Sequence, residues 1–277
     1  HHPLSATMNN TMKRRAFAAL ALTAAMAATL PAAHAGRSCE SRQPEASNVQ
    51  RGLDLALRMH QALNASGAQL VMLARAGQDL SKYGLRWSHV GWAYKDGEAW
   101  RVVHKLNQCG SDRSTLYRQG LAEFFGDGLY LHEAGVVVLK PGLATRVIDG
   151  LKDDALLTTL HEPRYNMLAY PWSGPYQQSN QWAIETLALL ADPGVVSRAA
   201  ARDWLRSHDY RPTTLRISAM TRLGARVGTA HIAFDDHPFG RRMADKLSVR
   251  VGDTISILTA RGASTPFGVA PRASLRP

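Results

Sequence analysis

Residues Trp87 to His104 read WSHVGWAYKDGEAWRVVH, two runs rich in aromatic and β-branched side chains on either side of Asp96-Gly97. Asp-Gly is a strong signal for a two-residue type I′ turn, so the segment predicts a β-hairpin. With Lys95 paired to Glu98, the numbers of paired residues sum to 193, and His89 is expected directly opposite His104 on one face of the sheet. The two Cβ atoms would then stand about 4.5–5.5 Å apart. Imidazoles held that close on an apolar hairpin point to a site, because histidine titrates near neutral pH and serves as base or ligand.

The N-terminal part suggests export. Lys13-Arg14-Arg15 precede an apolar run from Ala16 to Leu30, and Ala33-His34-Ala35 forms an A-x-A cleavage signature. Residues 1–35 are therefore expected to be an upstream extension plus a signal peptide, with Met12 as initiator, the mature chain starting at Gly36, and a periplasmic or secreted destination. No later stretch approaches the roughly 20 apolar residues of a spanning helix, so no transmembrane segment is expected. Loss of Lys13, Arg14 and Arg15, with no carboxylate among the first 35 residues, lowers the formal charge from +11 to +8. A basic surface suits anionic envelope polymers or lipid head groups, and no run of Lys and Arg marks a nucleic-acid patch. Residues 36–277 read as one domain, with the region after about residue 212 an extension of weaker pattern.

Two cysteines would remain after cleavage, Cys39 and Cys109, and an oxidising compartment makes a disulfide between them the expectation. A nucleophilic Cys109 is the alternative. Asn107-Gln108-Cys109-Gly110 is turn-like and lacks the electropositive helix start that lowers a thiol pKa.

The coarse pattern is α+β. A helix from Asn48 through Leu53, Leu57 and Leu63 leads to a short strand at Gln69–Arg75, then the hairpin. A helix through Leu116, Leu121 and Phe125, a strand at Gly135–Leu139, and a helix from Pro141 to about Gly150 follow. Glu162 to Gln178 holds Pro163, Pro171, Gly174 and Pro175 and reads as an irregular aromatic loop. Ser179 to Leu190 is helical in composition, and Asp192-Pro193 is expected to open a helix ending near Ser207. Further strands are expected near His231–Phe234 and Leu247–Leu258.

The string SHVGWAYKDGEAWRVVHKLN resembles the histidine hairpin of the circularly permuted papain-like superfamily, which includes NlpC-type envelope peptidases and lecithin:retinol acyltransferase-like enzymes. The whole mature chain also resembles an uncharacterised family of secreted bacterial proteins with a Tyr-Gln-x-Ser-Asn-Gln-Trp block, here Tyr176 to Trp182. The superfamily resemblance implies a permuted papain-like fold, an antiparallel sheet packed on a nucleophile-bearing helix. It makes His89 the base, His104 its orienting partner, and the helix at Ser179 the nucleophile helix. The superfamily carries cysteine there. Serine must lose its proton to a base during attack, whereas a thiol can be ionised beforehand; serine is also a preferred helix cap.

The expected activity is hydrolysis or transfer of an amide, ester or thioester through Ser179, His89 and His104, with backbone N–H groups at the helix start steadying the oxyanion. Trp87, Tyr170, Trp172 and Tyr176 are the candidate substrate-binding residues, or else a hydrophobic cover over the helix end. The partner is an envelope peptide, glycan or lipid. The alternative is an inactive papain-like protein that binds one of these. No cofactor is expected, since there is no Gly-rich phosphate loop and no CxxC. No metal is expected either: His132-Glu133 lacks the second histidine of a zincin helix, and Pro163 breaks the stretch after His161-Glu162. A metal on His89 and His104 with His132 or His161 has no supporting ligand spacing. Asp235-Asp236-His237-Pro238 reads as a turn.

Overall fold

A computed structural model describes residues 45–139, 141–218, 230–238, 246–251 and 269–275. Its centre is an antiparallel sheet of β1 (Leu70–Ala76), β2 (His89–Asp96), β3 (Ala99–Asn107), β4 (Ser114–Gly120) and β5 (Leu131–Leu139), in the order β4-β3-β2-β1-β5. The backbone of Val269–Leu275 extends it beyond β5, and Thr213–Ser218 pairs with Lys246–Val251 in a separate two-stranded ladder. The helices are α1 (Ala46–Ala65), α2 (Leu121–Gly126), α3 (Pro141–Lys152), α4 (Asp154–Thr159), α5 (Ser179–Ala191) and α6 (Arg198–Ser207). The class is α+β, as the pattern implies.

Both faces of the sheet are covered, which explains why β1 is buried along its whole length. Alternation divides the strands between two cores. Leu70, Met72, Val90, Trp92, Tyr94 and Val103 face α3, α5 and α6, where Trp182, Ala183 and Leu187 meet them. Val71, Leu73, Ala93, Trp100 and Val102 face α1 and α2, against Met59, Phe124 and Phe125.

The hairpin register differs from the expectation. Asp96 pairs with Ala99, so paired numbers sum to 195 and Gly97-Glu98 is the two-residue loop. Gly97 takes φ +60° at the first loop position while Glu98 keeps a negative φ, the sign pattern of a type II′ turn. Glycine supplies the positive φ without the strain that a left-handed Asp96 would carry in a type I′ turn. Because the sum changes by two, every side chain keeps its face. His89 and His104 become diagonal neighbours instead of direct opposites.

Other departures follow from pairing and capping. Ser114–Gly120, expected within a helix, is the strand β4 because it pairs with β3 from Arg101↔Gly120 to Asn107↔Ser114, and the helix is confined to α2. The helix expected from Asp192 begins at Arg198, where the Ser197 side chain caps the Ala200 N–H. Residues 231–234 form no strand, Asp235-Asp236-His237 is a turn or bend, and the expected strand's residues 252–258 lie outside the described residues. No helix among the described residues is long and apolar enough to cross a membrane.

The backbones of α1 and α2 cross closely at Gly52, where an added Cβ would lie 2.5 Å from the Phe125 carbonyl oxygen. A backbone atom cannot swing aside. Gly52→Ala is expected to cost about 1–3 kcal/mol, read from urea unfolding; an unchanged midpoint would contradict this crossing.

Candidate active site

His89 and His104 meet in the core under α2. His89 Nε2 lies 2.8 Å from His104 Nδ1, and His104 Nε2 lies 2.8 Å from Gln119 Oε1. These residues sit on β2, β3 and β4, and each step along the chain of bonds crosses one strand and moves two residues diagonally. Arg75, directly opposite His89 on β1, continues the row. The four polar residues cross four adjacent strands on one face.

The local sequence makes room for the rings. By continuing the β2–β3 register, Gly91 stands opposite His104, and a Cβ there would come within 3.1 Å of the His104 Cβ and 2.7 Å of Val102 Cγ1. Phe124 closes the row from above, its ring centroid 5.9 Å from that of His89 and 5.2 Å from that of His104. Arg75 lies over the same ring, donates to the Phe124 carbonyl oxygen, and pairs with Asp127 at 3.1 Å. Tyr117 stands across from His104 on β4 and is exposed.

Burial and a neighbouring guanidinium keep both imidazoles neutral. His89 is held well below its ordinary pKa, first by burial, then by Arg75 and His104. His104 is lowered to about 4, chiefly by burial, against the opposing effect of its Gln119 bond. The His89–His104–Gln119 chain is thus uncharged at neutral pH, beside the Arg75 cation.

Ser179 is elsewhere. It opens α5, which packs on the opposite face of the sheet, and it is buried near Tyr165. Among the described residues no hydrogen bond joins Ser179 to His89. Nor does Ser179 cap the helix: Gln178 does so, its side chain accepting from the Asn180 N–H at 3.4 Å. The contact between helix start and histidine strand is made one residue later, where Asn180 Oδ1 accepts the Val90 N–H at 3.1 Å. The β2–β3 ladder stops at Trp92↔Val103 although β2 begins at His89 and β3 runs to Asn107, so the two strands part here. Lys95 N–H reaches Gln69 on the β1 side, so alternation turns the Val90 N–H towards the gap that Asn180 fills.

The four candidate substrate-binding residues are not gathered at the histidine row. Trp87 is buried in the core on the α5 side, against Gly135. Trp172 packs edge-on to Tyr210 beneath Arg206. The Tyr170 N–H donates to Asp236 and the Tyr176 hydroxyl to Asp235, which ties the aromatic loop to the 235–237 turn. Cys109 lies in the turn after β3, and Cys39 lies outside the described residues.

A second polar network occupies the α5 side. Glu185, fully buried, receives Arg198 at 2.8 Å, Gln181 at 3.1 Å and Gln177. Gln177 also accepts from Lys105 Nζ at 2.8 Å, and Lys105 reaches the Glu162 carbonyl at 2.7 Å. Burial and then Arg198 lower the Lys105 pKa to about 6. Within the Tyr176–Trp182 block, Gln177, Asn180 and Gln181 fasten the helix start to β3, β2 and the loop at Pro171.

A family model described as an uncharacterized protein conserved in bacteria (DUF2145) matches residues 62–258, which include the histidine row, the aromatic loop and α5. The chain belongs to this family. No curated protein and no solved structure matches it.

The two histidines bind protons less readily folded than unfolded, so their contribution to stability is complete above about pH 6.5 and is lost as pH falls towards 4. Each such proton steepens the loss by about 1.4 kcal/mol per pH unit. Urea unfolding from pH 7.5 to 4 should show this slope in the wild type and a shallower one in His104→Gln. Equal slopes would contradict a neutral buried pair.

Proposed function

We propose that this chain is an exported papain-like hydrolase or acyltransferase of the cell envelope, acting on an amide, ester or thioester with His89 as its base. The observation that carries the reading is the buried 2.8 Å bond between His89 and His104, on a sheet whose histidine strand abuts the start of a helix through Asn180 and Val90. A neutral imidazole fixed through one nitrogen is poised to take a proton on the other. In the papain-like reading His104 is the orienting residue and α5 the helix that meets the histidine strand where Asn180 accepts the Val90 N–H.

The placement of Ser179 favours water, or an acceptor hydroxyl, as the attacking group. His89 takes the proton as the oxygen bonds to the acyl carbon, then returns it to the departing nitrogen, oxygen or sulfur as that bond breaks. Ser179 is assigned to packing at the buried start of α5. Export supports the Cys39–Cys109 pairing, and the basic surface suits anionic envelope material.

Purified mature protein assayed on peptide, ester and thioester substrates should lose at least about a hundredfold in rate as His89→Ala. Ser179→Ala should stay within about threefold, and a fluorophosphonate should leave Ser179 unlabelled. Labelling of Ser179, or full activity without His89, would overturn the assignment. The absence of a hydrogen bond between Ser179 and His89 among the described residues also favours a second reading, an inactive papain-like protein that binds peptide, glycan or lipid; binding without turnover by the wild type would select it.

Unreduced protein secreted from its native type of host should have a mass corresponding to cleavage before Gly36 and one disulfide. Two free thiols or an uncleaved leader would contradict the export reading.

A further inference from the structure

We infer that Gln119 is a positioning residue that sets the direction of the whole histidine row and thereby makes Nδ1 of His89 a proton acceptor. This deepens the reading of His89 as base and rests on it only for its catalytic consequence.

With Gln119 presenting Oε1 to His104, counting protons gives the direction. Gln119 meets His104 through Oε1, a carbonyl oxygen that can only accept. His104 Nε2 must therefore carry a hydrogen. A neutral imidazole has one N–H, so His104 Nδ1 is bare and must accept from its own neighbour, His89 Nε2. That in turn places the only hydrogen of neutral His89 on Nε2. The lone pair on His89 Nδ1 is left as the free end of the chain.

Without Gln119, or with its amide turned to offer Nε2–H, the same 2.8 Å contact would run the other way. His104 Nδ1 would donate to His89 Nε2, the His89 hydrogen would sit on Nδ1, and that ring would present a donor where a base needs a lone pair. A wrong tautomer at unchanged geometry is enough to disable a histidine base. The groups facing the row from neighbouring elements do not set this polarity. Arg75 on β1 carries only donors and bonds to Phe124 and Asp127, Phe124 offers a ring face, and Tyr117 makes ring contact with His104 at 6.4 Å.

Nitrogen-15 NMR of the imidazoles reads the tautomers whether or not a substrate is known. At pH 7.5 the wild type should show both His89 and His104 protonated on Nε2 and bare on Nδ1. Gln119→Leu, which removes the acceptor from a half-buried surface position, should shift both rings towards the Nδ1–H form, with at least a tenfold fall in any His89-dependent rate. Gln119→Glu keeps an acceptor and should keep the wild-type tautomers while raising the His104 pKa by about one unit or more. A hydrogen on His89 Nδ1 in the wild type, unchanged tautomers in Gln119→Leu, or an unmoved His104 pKa in Gln119→Glu would overturn the inference. Tautomers that respond as expected in a protein showing no turnover would uphold the role of Gln119 and remove the hydrolase reading alone.

Discussion

The parting of β2 from β3 organises this molecule. Up to Trp92 and Val103 the strands form an ordinary ladder; beyond that, β2 remains with β1 and β3 remains with β4. Breaking a ladder inside a covered sheet would leave buried N–H and C=O groups without partners, a cost of about 1–3 kcal/mol for each. Asn180 offsets this at Val90 by entering from the start of α5. The same opening lets His104 cross over Gly91 to reach His89, so one local irregularity seats both the helix and the histidine pair.

The two faces of the sheet use opposite electrostatic strategies. Under α2 the two imidazoles are kept uncharged, burial first and Arg75 second opposing protonation of His89. On the α5 side charge is retained and compensated: Glu185 is surrounded by Arg198, Arg202, Gln177 and Gln181. Buried charges of this kind add little net stability but strongly penalise arrangements that leave one unpaired. The Glu185 cluster therefore fixes where α5 and α6 sit, and with them the position of Asn180. The neutral imidazoles can then be held in place by packing against Phe124.

The hairpin, the central strand β1 and the long helices were legible because periodicity and turn residues act locally. The two-residue loop was also legible, but its position was not: Asp96-Gly97 and Gly97-Glu98 both satisfy turn chemistry, and the choice was settled by which residue takes the positive φ. That shift was invisible to the face assignment, since it preserved parity. β4 reads as helix when Leu116 is grouped with the helically spaced Leu121 and Phe125, whereas pairing with β3 decides its state. At the site, sequence pointed to the two histidines and to the helix start. It could not show that Ser179 opens a helix on the face opposite the histidines, nor that Gln119 ends the row, because both depend on contacts between elements distant in sequence. A regular spacing of fifteen residues separates His89, His104 and Gln119, a signal readable only once three strands are known to be adjacent.

A crystal structure of the mature protein at neutral pH tests the central claim most directly, that the histidine row is assembled on its own and apart from Ser179. The account predicts His89 Nε2 and His104 Nδ1 at 2.8 Å, as here, with no hydrogen bond between Ser179 and His89. A Ser179 hydroxyl within hydrogen-bond reach of His89, or two histidine rings turned away from each other, would contradict it.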